Sequence, residues 1–211
     1  MQVSEIFYSI QGEGVNIGQP AIFLRLAGCH LRCSWCDSKF TWERTSGKKM
    51  STAAIVKEIR QYPSKNLIIT GGEPLLQQNA LKELLGKLPK SYFVEMETSG
   101  SLKSYLHDYI DQYNCSPKLS NSFNREIRLE QLPPEKTFYK FVVDKPEDLE
   151  EIKSFISKYR LPEKHVLLMP QGTKKRELQE RSQWLIELCK QENLRFCPRL
   201  HINIWGNKRK V

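Results

Sequence analysis

The chain has 211 residues, 39% hydrophobic and 27% charged, with six cysteines and a net charge of +9 from 33 Lys and Arg against 24 Asp and Glu. That length suits one domain, residues 1–211, with a sizeable core, and no run of about 18 apolar residues is present to span a membrane. Three cysteines fall within eight residues and three are scattered, which excludes the cysteine-dense pattern of a small disulfide-held secreted scaffold.

Met1 to Glu5 lack a basic region followed by an apolar stretch, so no signal peptide and a cytoplasmic location are expected. The basic clusters, Lys48-Lys49, Lys174 to Arg176 and Lys208 to Lys210, fall outside any recognisable nucleic-acid-binding motif. They predict a solvated basic surface, with no nucleic acid partner required. Residues 5–19 read as a loop punctuated by Gly12, Gly14 and Gly18. Within it Gln11 and Glu13 are polar groups among glycines, where a ligand can approach the backbone; the plainer reading is a hairpin turn at a sheet edge. A strand follows over 20–27. Arg25 interrupts it and must face solvent or meet an anion in a cavity. Gly28 turns the chain into the cysteine loop.

Beyond a polar linker, residues 51–61 carry capping residues and helical spacing, and Pro63 stops them. Residues 66–70 form a strand ending in the tight turn Gly71-Gly72-Glu73-Pro74, and 75–88 are leucine-rich at helical spacing. Residues 92–98 read as a strand with unusual carboxylates at Glu95 and Glu97, closed by Ser99-Gly100. A short helix is expected over 102–108, a polar strand over 110–115 leading into Ser116-Pro117-Lys118, and a loop over 119–135 with Ile127, Leu129 and Leu132 as contact points. A strand over 137–143, a helix over 146–159 and a strand over 165–169 followed by Gln171 come next. The longest helix spans 175–193, a last strand 195–197, and a tail the rest. This alternation argues an α/β fold with a largely parallel sheet, curved or partly barrelled. The turns after 27, 70, 98, 115 and 169 then share the rim where such folds bind ligands.

Cys29, Cys33 and Cys36 carry the chemistry. Structural zinc takes four ligands, commonly from two separate hooks. Here one hook, Cys33 and Cys36, has one extra cysteine four residues earlier, and His30 is a poor fourth ligand. A ferredoxin run would add a fourth nearby cysteine. Three thiolates suit iron–sulfur chemistry and can cap three irons of a [4Fe–4S] cube, leaving the fourth open. Trp35, Phe40 and Trp42 follow as shields or as core packing. Cys115, Cys189 and Cys197 read as small buried hydrophobes.

The spacing Cys29-x-x-x-Cys33-x-x-Cys36, with an aromatic residue before Cys36, resembles the cluster motif of radical S-adenosylmethionine enzymes, and Gly71 to Pro74 resembles their glycine-rich methionine-binding turn. Ser9 to Gly14, Phe23 to Cys29, Trp35 to Trp42, Glu97 to Gly100, Ser116 to Lys118, Leu200-His201 and Trp205 to Arg209 together resemble the 7-carboxy-7-deazaguanine synthase family over essentially the whole chain. The sequence departs from that pattern at Lys210, where relatives often have glycine, and Ser38 stands where some have threonine.

The resemblance implies a trimmed, partial TIM-like barrel of the radical S-adenosylmethionine type, acting as a homodimer. It implies ring contraction of 6-carboxy-5,6,7,8-tetrahydropterin with release of ammonia, in queuosine and 7-deazapurine biosynthesis. The implied cofactors are a [4Fe–4S] cluster on Cys29, Cys33 and Cys36, S-adenosylmethionine and Mg²⁺, with a flavodoxin-like or other low-potential reductant as electron donor. Gly71, Gly72, Glu73, Thr98, Ser99, Ser116, Lys118 and Gln171 would hold S-adenosylmethionine. Gln11, Glu13, Arg25, His201 and the terminal carboxylate of Val211 would hold the substrate, with Ser38 as the protein ligand of Mg²⁺. A glycyl-radical enzyme activase would share the cysteines and the glycine-rich turn but not Gln11 to Gly14 or Trp205 to Arg209.

Overall fold

Strand residues in this protein sort into two sets by their neighbours, and the sorting explains the sheet. In the computed structural model, which describes residues 1–124 and 128–211, the strands are β1 (Gln2–Ile10), β2 (Pro20–Leu26), β3 (Lys48–Lys49), β4 (Asn66–Gly71), β5 (Phe93–Thr98), β6 (Gln112–Cys115), β7 (Thr137–Val143), β8 (Val166–Pro170) and β9 (Arg195–Phe196). They form one sheet in the order β3-β1-β2-β4-β5-β6-β7-β8-β9. Neighbours from β2 to β9 run parallel, and β1 runs antiparallel to β2 and β3.

On one face Leu24, Ile69, Met96, Tyr113, Phe141 and Leu168 join the main core. That core also takes Ile55 and Ile59 of α1 (Thr52–Ile59), Leu81 and Leu84 of α2 (Gln78–Leu85), Ile152 of α3 (Asp148–Tyr159) and Leu185 of α4 (Lys175–Glu192). On the other face Arg25, Thr70, Glu97, Lys140 and Met169 line a single cavity. Side chains alternate across a strand, so one face of these strands carries the core and the other lines the cavity. The result is an open, partial barrel with helices outside and charge inside, which accounts for the carboxylates of β5.

The expected elements form with four corrections. Residues 5–10 are not loop but the body of β1, and the glycine-punctuated loop begins at Gln11. The helix expected over 102–108 is absent, leaving a 3-10 turn at His107–Tyr109. The leucine-rich segment opens with a 3-10 turn, Pro74–Gln77, before α2 begins. The tail folds into a six-residue α5 (Leu200–Trp205) after β9, begun by a bond from Leu200 N to Gly12 O at 2.9 Å. Ser51 caps α1 as expected, accepting from Ala54 N at 3.2 Å. Leu129 and Leu132 are buried contact points, while Ile127 lies outside the described residues. Cys115, Cys189 and Cys197 are buried in the core.

Candidate active site

The cysteine loop is built between β2 and β3 and closed on itself. Gly28 N donates to Thr41 O at 2.7 Å, Cys29 N to Trp42 O at 2.9 Å, and Cys36 N to Cys33 O at 3.1 Å. Asn124 staples it from outside: its amide donates to Cys33 Sγ at 3.1 Å, and its Oδ1 accepts from Arg32 N at 3.0 Å. All three thiols line a cavity of about 280 Å³. Cys33 is buried, Cys29 and Cys36 half-buried, and none is in a disulfide. Burial pushes the Cys29 and Cys36 thiols above their ordinary range.

The glycine-rich turn packs directly under this loop. Gly72 N donates to Leu26 O at 3.1 Å and Glu73 N to Gly28 O at 2.9 Å. Gly71 has φ +136, and a Cβ there would meet Leu26 O at 2.1 Å; a Cβ on Gly72 would meet Gly28 O at 2.2 Å. The close approach these glycines permit is therefore to the chain's own backbone beneath Cys29. Glu73 is buried and tied into the fold: Leu75 N (3.2 Å), Thr98 Oγ1 (2.8 Å), Ser99 N (2.9 Å) and Ser99 Oγ (2.6 Å) all donate to it. It joins the ends of β4 and β5, so Thr98 and Ser99 address Glu73 first. Ser116 accepts from Lys118 Nζ at 2.7 Å, and that ammonium sits 5.3 Å from the Trp35 ring centroid, in no salt bridge among the described residues. Gln171 lines the cavity, with its backbone N on Val143 O at 2.8 Å.

A chain of alternating charges runs along the wall. Glu97 of β5 accepts from Lys140 Nζ at 2.9 Å, Lys140 also donates to Glu13 at 2.6 Å, Glu13 accepts from Arg199 Nε at 2.8 Å, and Arg199 reaches Asp37 beside the last cysteine. Burial alone would raise the Glu13 and Asp37 carboxyls. Lys140 then Arg199 hold Glu13 well below its ordinary value, and Arg199 holds Asp37 low. Burial would lower the Lys140 and Arg199 cations, but their carboxylate partners raise both. His201 Nε2 lies 3.9 Å from Glu13, and burial lowers its imidazole, favouring the neutral ring. Gln11 turns inward, donating to Glu95 at 2.5 Å; Asn16, Gln112 and Asn114 donate to the same carboxylate. Burial, then Glu97, nonetheless push Glu95 up to about 7.

Arg25 faces the cavity and pairs with Glu5, Nε to Oε2 at 3.1 Å. Among the described residues its two terminal nitrogens donate no hydrogen bond, leaving a planar two-donor edge suited to a carboxylate. Arg209 pairs with the other oxygen of Glu5 at 2.8 Å, and a main-chain carboxylate oxygen of Val211 accepts from Ser9 Oγ. Ser38 Oγ donates to Asp37 at 2.9 Å, and both line the cavity. Every candidate residue from the sequence thus lies on this one wall. Lys140, Arg199, Asp37, Glu5 and Arg209 were not singled out as site residues. Only the carboxylates on β5 signalled a charged interior that needed cations.

The donor set fits an iron–sulfur cluster. Among the described residues no three His, Cys, Asp or Glu side chains converge as ligands of one ion would. Trp35 lines this wall, and its Nε1 is buried with no hydrogen-bond partner among the described residues, at a cost of about 1–3 kcal/mol.

Comparison with known proteins agrees. Residues 10–119 match the family model described as a 4Fe-4S single cluster domain. The 7-carboxy-7-deazaguanine synthase of Pyrobaculum aerophilum is 39% identical, over 99% of this chain and 96% of its own. That of Halobacterium salinarum is 33% identical, over 98% and 91%. The crystal structure of QueE from Escherichia coli matches with a TM-score of 0.72 at 27% identity, covering 95% of this chain and 94% of that one. Streptococcus suis SuiB, at 14% identity and a TM-score of 0.56, shares the fold over 87% of this chain and 50% of its own.

Proposed function

The chain belongs to the 7-carboxy-7-deazaguanine synthase family, and on that premise we propose that it converts 6-carboxy-5,6,7,8-tetrahydropterin to 7-carboxy-7-deazaguanine with loss of ammonia, in queuosine biosynthesis. The observation that carries this reading is the sharing of one cavity by three thiols, the glycine-rich turn and the Arg25 guanidinium. Cys29, Cys33 and Cys36 would hold the [4Fe–4S] cube. With S-adenosylmethionine bound, the cube supplies the one-electron chemistry that activates a substrate carbon–hydrogen bond.

The protein's own work is placement and exclusion of water. Gly71, Gly72 and Glu73 shape the turn beneath Cys29, and Thr98, Ser99, Ser116, Lys118 and Gln171 offer the remaining polar contacts to S-adenosylmethionine. Arg25 takes the substrate carboxylate with its free edge. Glu13, held ionised by Lys140 and Arg199, accepts from the donor-rich pterin edge, with neutral His201 beside it and Gln11 below. Orientation is the lever, because the reacting centres must meet within a few tenths of an ångström. The Ser38 hydroxyl, next to Asp37, suits Mg²⁺, which prefers oxygen ligands and keeps waters. Val211 closes the cavity from the tail.

We further read residues 1–211 as one catalytic domain, since the nine strands of the described residues share one sheet. We also propose a homodimer served by a low-potential reductant of flavodoxin type, an acidic donor being suited to the +9 charge. No helix among the described residues is long and apolar enough to cross a membrane.

The test is anaerobic turnover of protein with rebuilt cluster, reductant, S-adenosylmethionine, Mg²⁺ and the carboxytetrahydropterin. Formation of 7-carboxy-7-deazaguanine without net loss of S-adenosylmethionine is expected. Steady cleavage of S-adenosylmethionine with no deazapurine would overturn the substrate and favour a glycyl-radical activase. Omitting Mg²⁺ should slow turnover.

A further inference from the structure

The pairing of β1 with β2 holds a register break that delivers one carboxylate to the cavity. Val3 lies opposite Leu26, yet Glu5 lies opposite Arg25, so two steps on β1 match one on β2. In an unbroken strand Val3 and Glu5 would share a face. The bulge separates them: Val3 packs in the main core beneath the helices, while Glu5 lines the cavity with Phe7. Bulges of this kind re-aim side chains.

The re-aimed carboxylate is 1% exposed and meets two cations, one on each oxygen. Arg25 comes from the neighbouring strand; Arg209 comes from 204 residues away. Each guanidinium has an aromatic backing. Arg25 lies 5.8 Å from the Phe7 centroid, and Phe7 stacks on Phe23 at 4.9 Å; Arg209 lies 3.8 Å from that of Phe40, just beyond the cysteine loop. One carboxylate between two arginines leaves a positive charge over, so an arriving carboxylate completes the set.

We propose that Glu5 is a positioning residue that clamps Arg25 and the C-terminal segment together, so that seating the substrate carboxylate and closing the tail are one event. The inference rests on the reading of Arg25 given above. Glu5 acts through the two arginines and not on the reacting atoms.

The test uses the holoenzyme with Glu5→Gln, Glu5→Asp, Arg209→Gln and the Glu5→Gln/Arg209→Gln double variant. Three quantities are read: KM for the carboxytetrahydropterin, KM for S-adenosylmethionine, and amide exchange at residues 207–211. Glu5→Gln and Arg209→Gln are each expected to raise the pterin KM about tenfold or more, leave the other KM within about twofold, and speed tail exchange. The double variant should be no worse than the worse single one, as for members of one unit, and Glu5→Asp should recover part of the loss. A pterin KM within about twofold of wild type, or equal rises in both KM values, would overturn the clamp. If wild-type enzyme fails to turn over the pterin, the functional reading falls. The link from Glu5 to the tail is then judged on exchange alone: faster in Glu5→Gln supports it, unchanged overturns it.

Discussion

Lys140 is 3% exposed on the concave face of β7 and stands between Glu13 and Glu97. A buried ammonium survives there because two carboxylates replace its water, and removing one partner of such a pair typically costs about 3–5 kcal/mol. Lys140→Met should therefore destabilise the apoprotein by about 3 kcal/mol near pH 8. The loss should shrink toward pH 5. Lys140 also favours the ionised form of Glu95, whose carboxyl is pushed up to about 7 by burial and by Glu97. A folded value above the unfolded one means the folded protein keeps a proton that the unfolded chain has released. The Glu95 contribution is thus fully present below about pH 4.5 and lost as pH rises through about 7. Without Lys140 the Glu95 carboxyl is harder to ionise, so the penalty grows with pH. Denaturant midpoints of both proteins across pH 5–8 measure it, and a pH-independent difference would sink the account.

At the scale of elements, the contact that matters is between two turns: the one after β2, which opens the cysteine loop, and the one after β4. Gly72→Ala would place a methyl 2.2 Å from Gly28 O and 2.9 Å from Cys29 Cβ. It should lower the iron and sulfide bound after reconstitution while leaving the far-ultraviolet spectrum near wild type. Gly18→Ala is the control: its φ is also positive, at +87, but nothing lies within 4 Å of the added carbon. It should cost only about 1–2 kcal/mol of backbone strain and keep the cluster. Equal iron loading in both variants would refute the packing role. These turns were legible in the sequence because cysteine spacing and a Gly-Gly-Glu-Pro run are local signals. β1 was not, because its bulge breaks the two-residue period and puts Glu5 where a loop reading looks natural. α5 was missed because six residues carry little periodicity and Gly12 helps start it. Arg199 and Lys140 were missed because their partner Glu13 lies 186 and 127 residues away.

For the molecule as a whole, the sheet of the described residues runs from β3 to β9 without closing, and the C-terminal segment finishes the wall. Met1 is tied to Met50 O at 2.7 Å, and the tail lies across β1 through Ser9 and Glu5. Lys210 takes φ 59, in the left-handed region that favours glycine. A residue with a β-carbon at that angle carries strain in the segment that shuts the cavity. Lys210→Gly should remove about 1 kcal/mol of that strain and slow amide exchange at residues 207–211 about fivefold. Unchanged or faster exchange would show that the tail is seated by other contacts.

The wall charges also have a polarity. Glu97, Glu13 and Asp37 outnumber Lys140 and Arg199 by one, while Arg25 and Arg209 outnumber Glu5 by one. The two ion-paired groups therefore differ in sign, one with an acid over and one with a cation over, and complementary charge of this kind serves to fix the register of an arriving molecule rather than to add raw affinity.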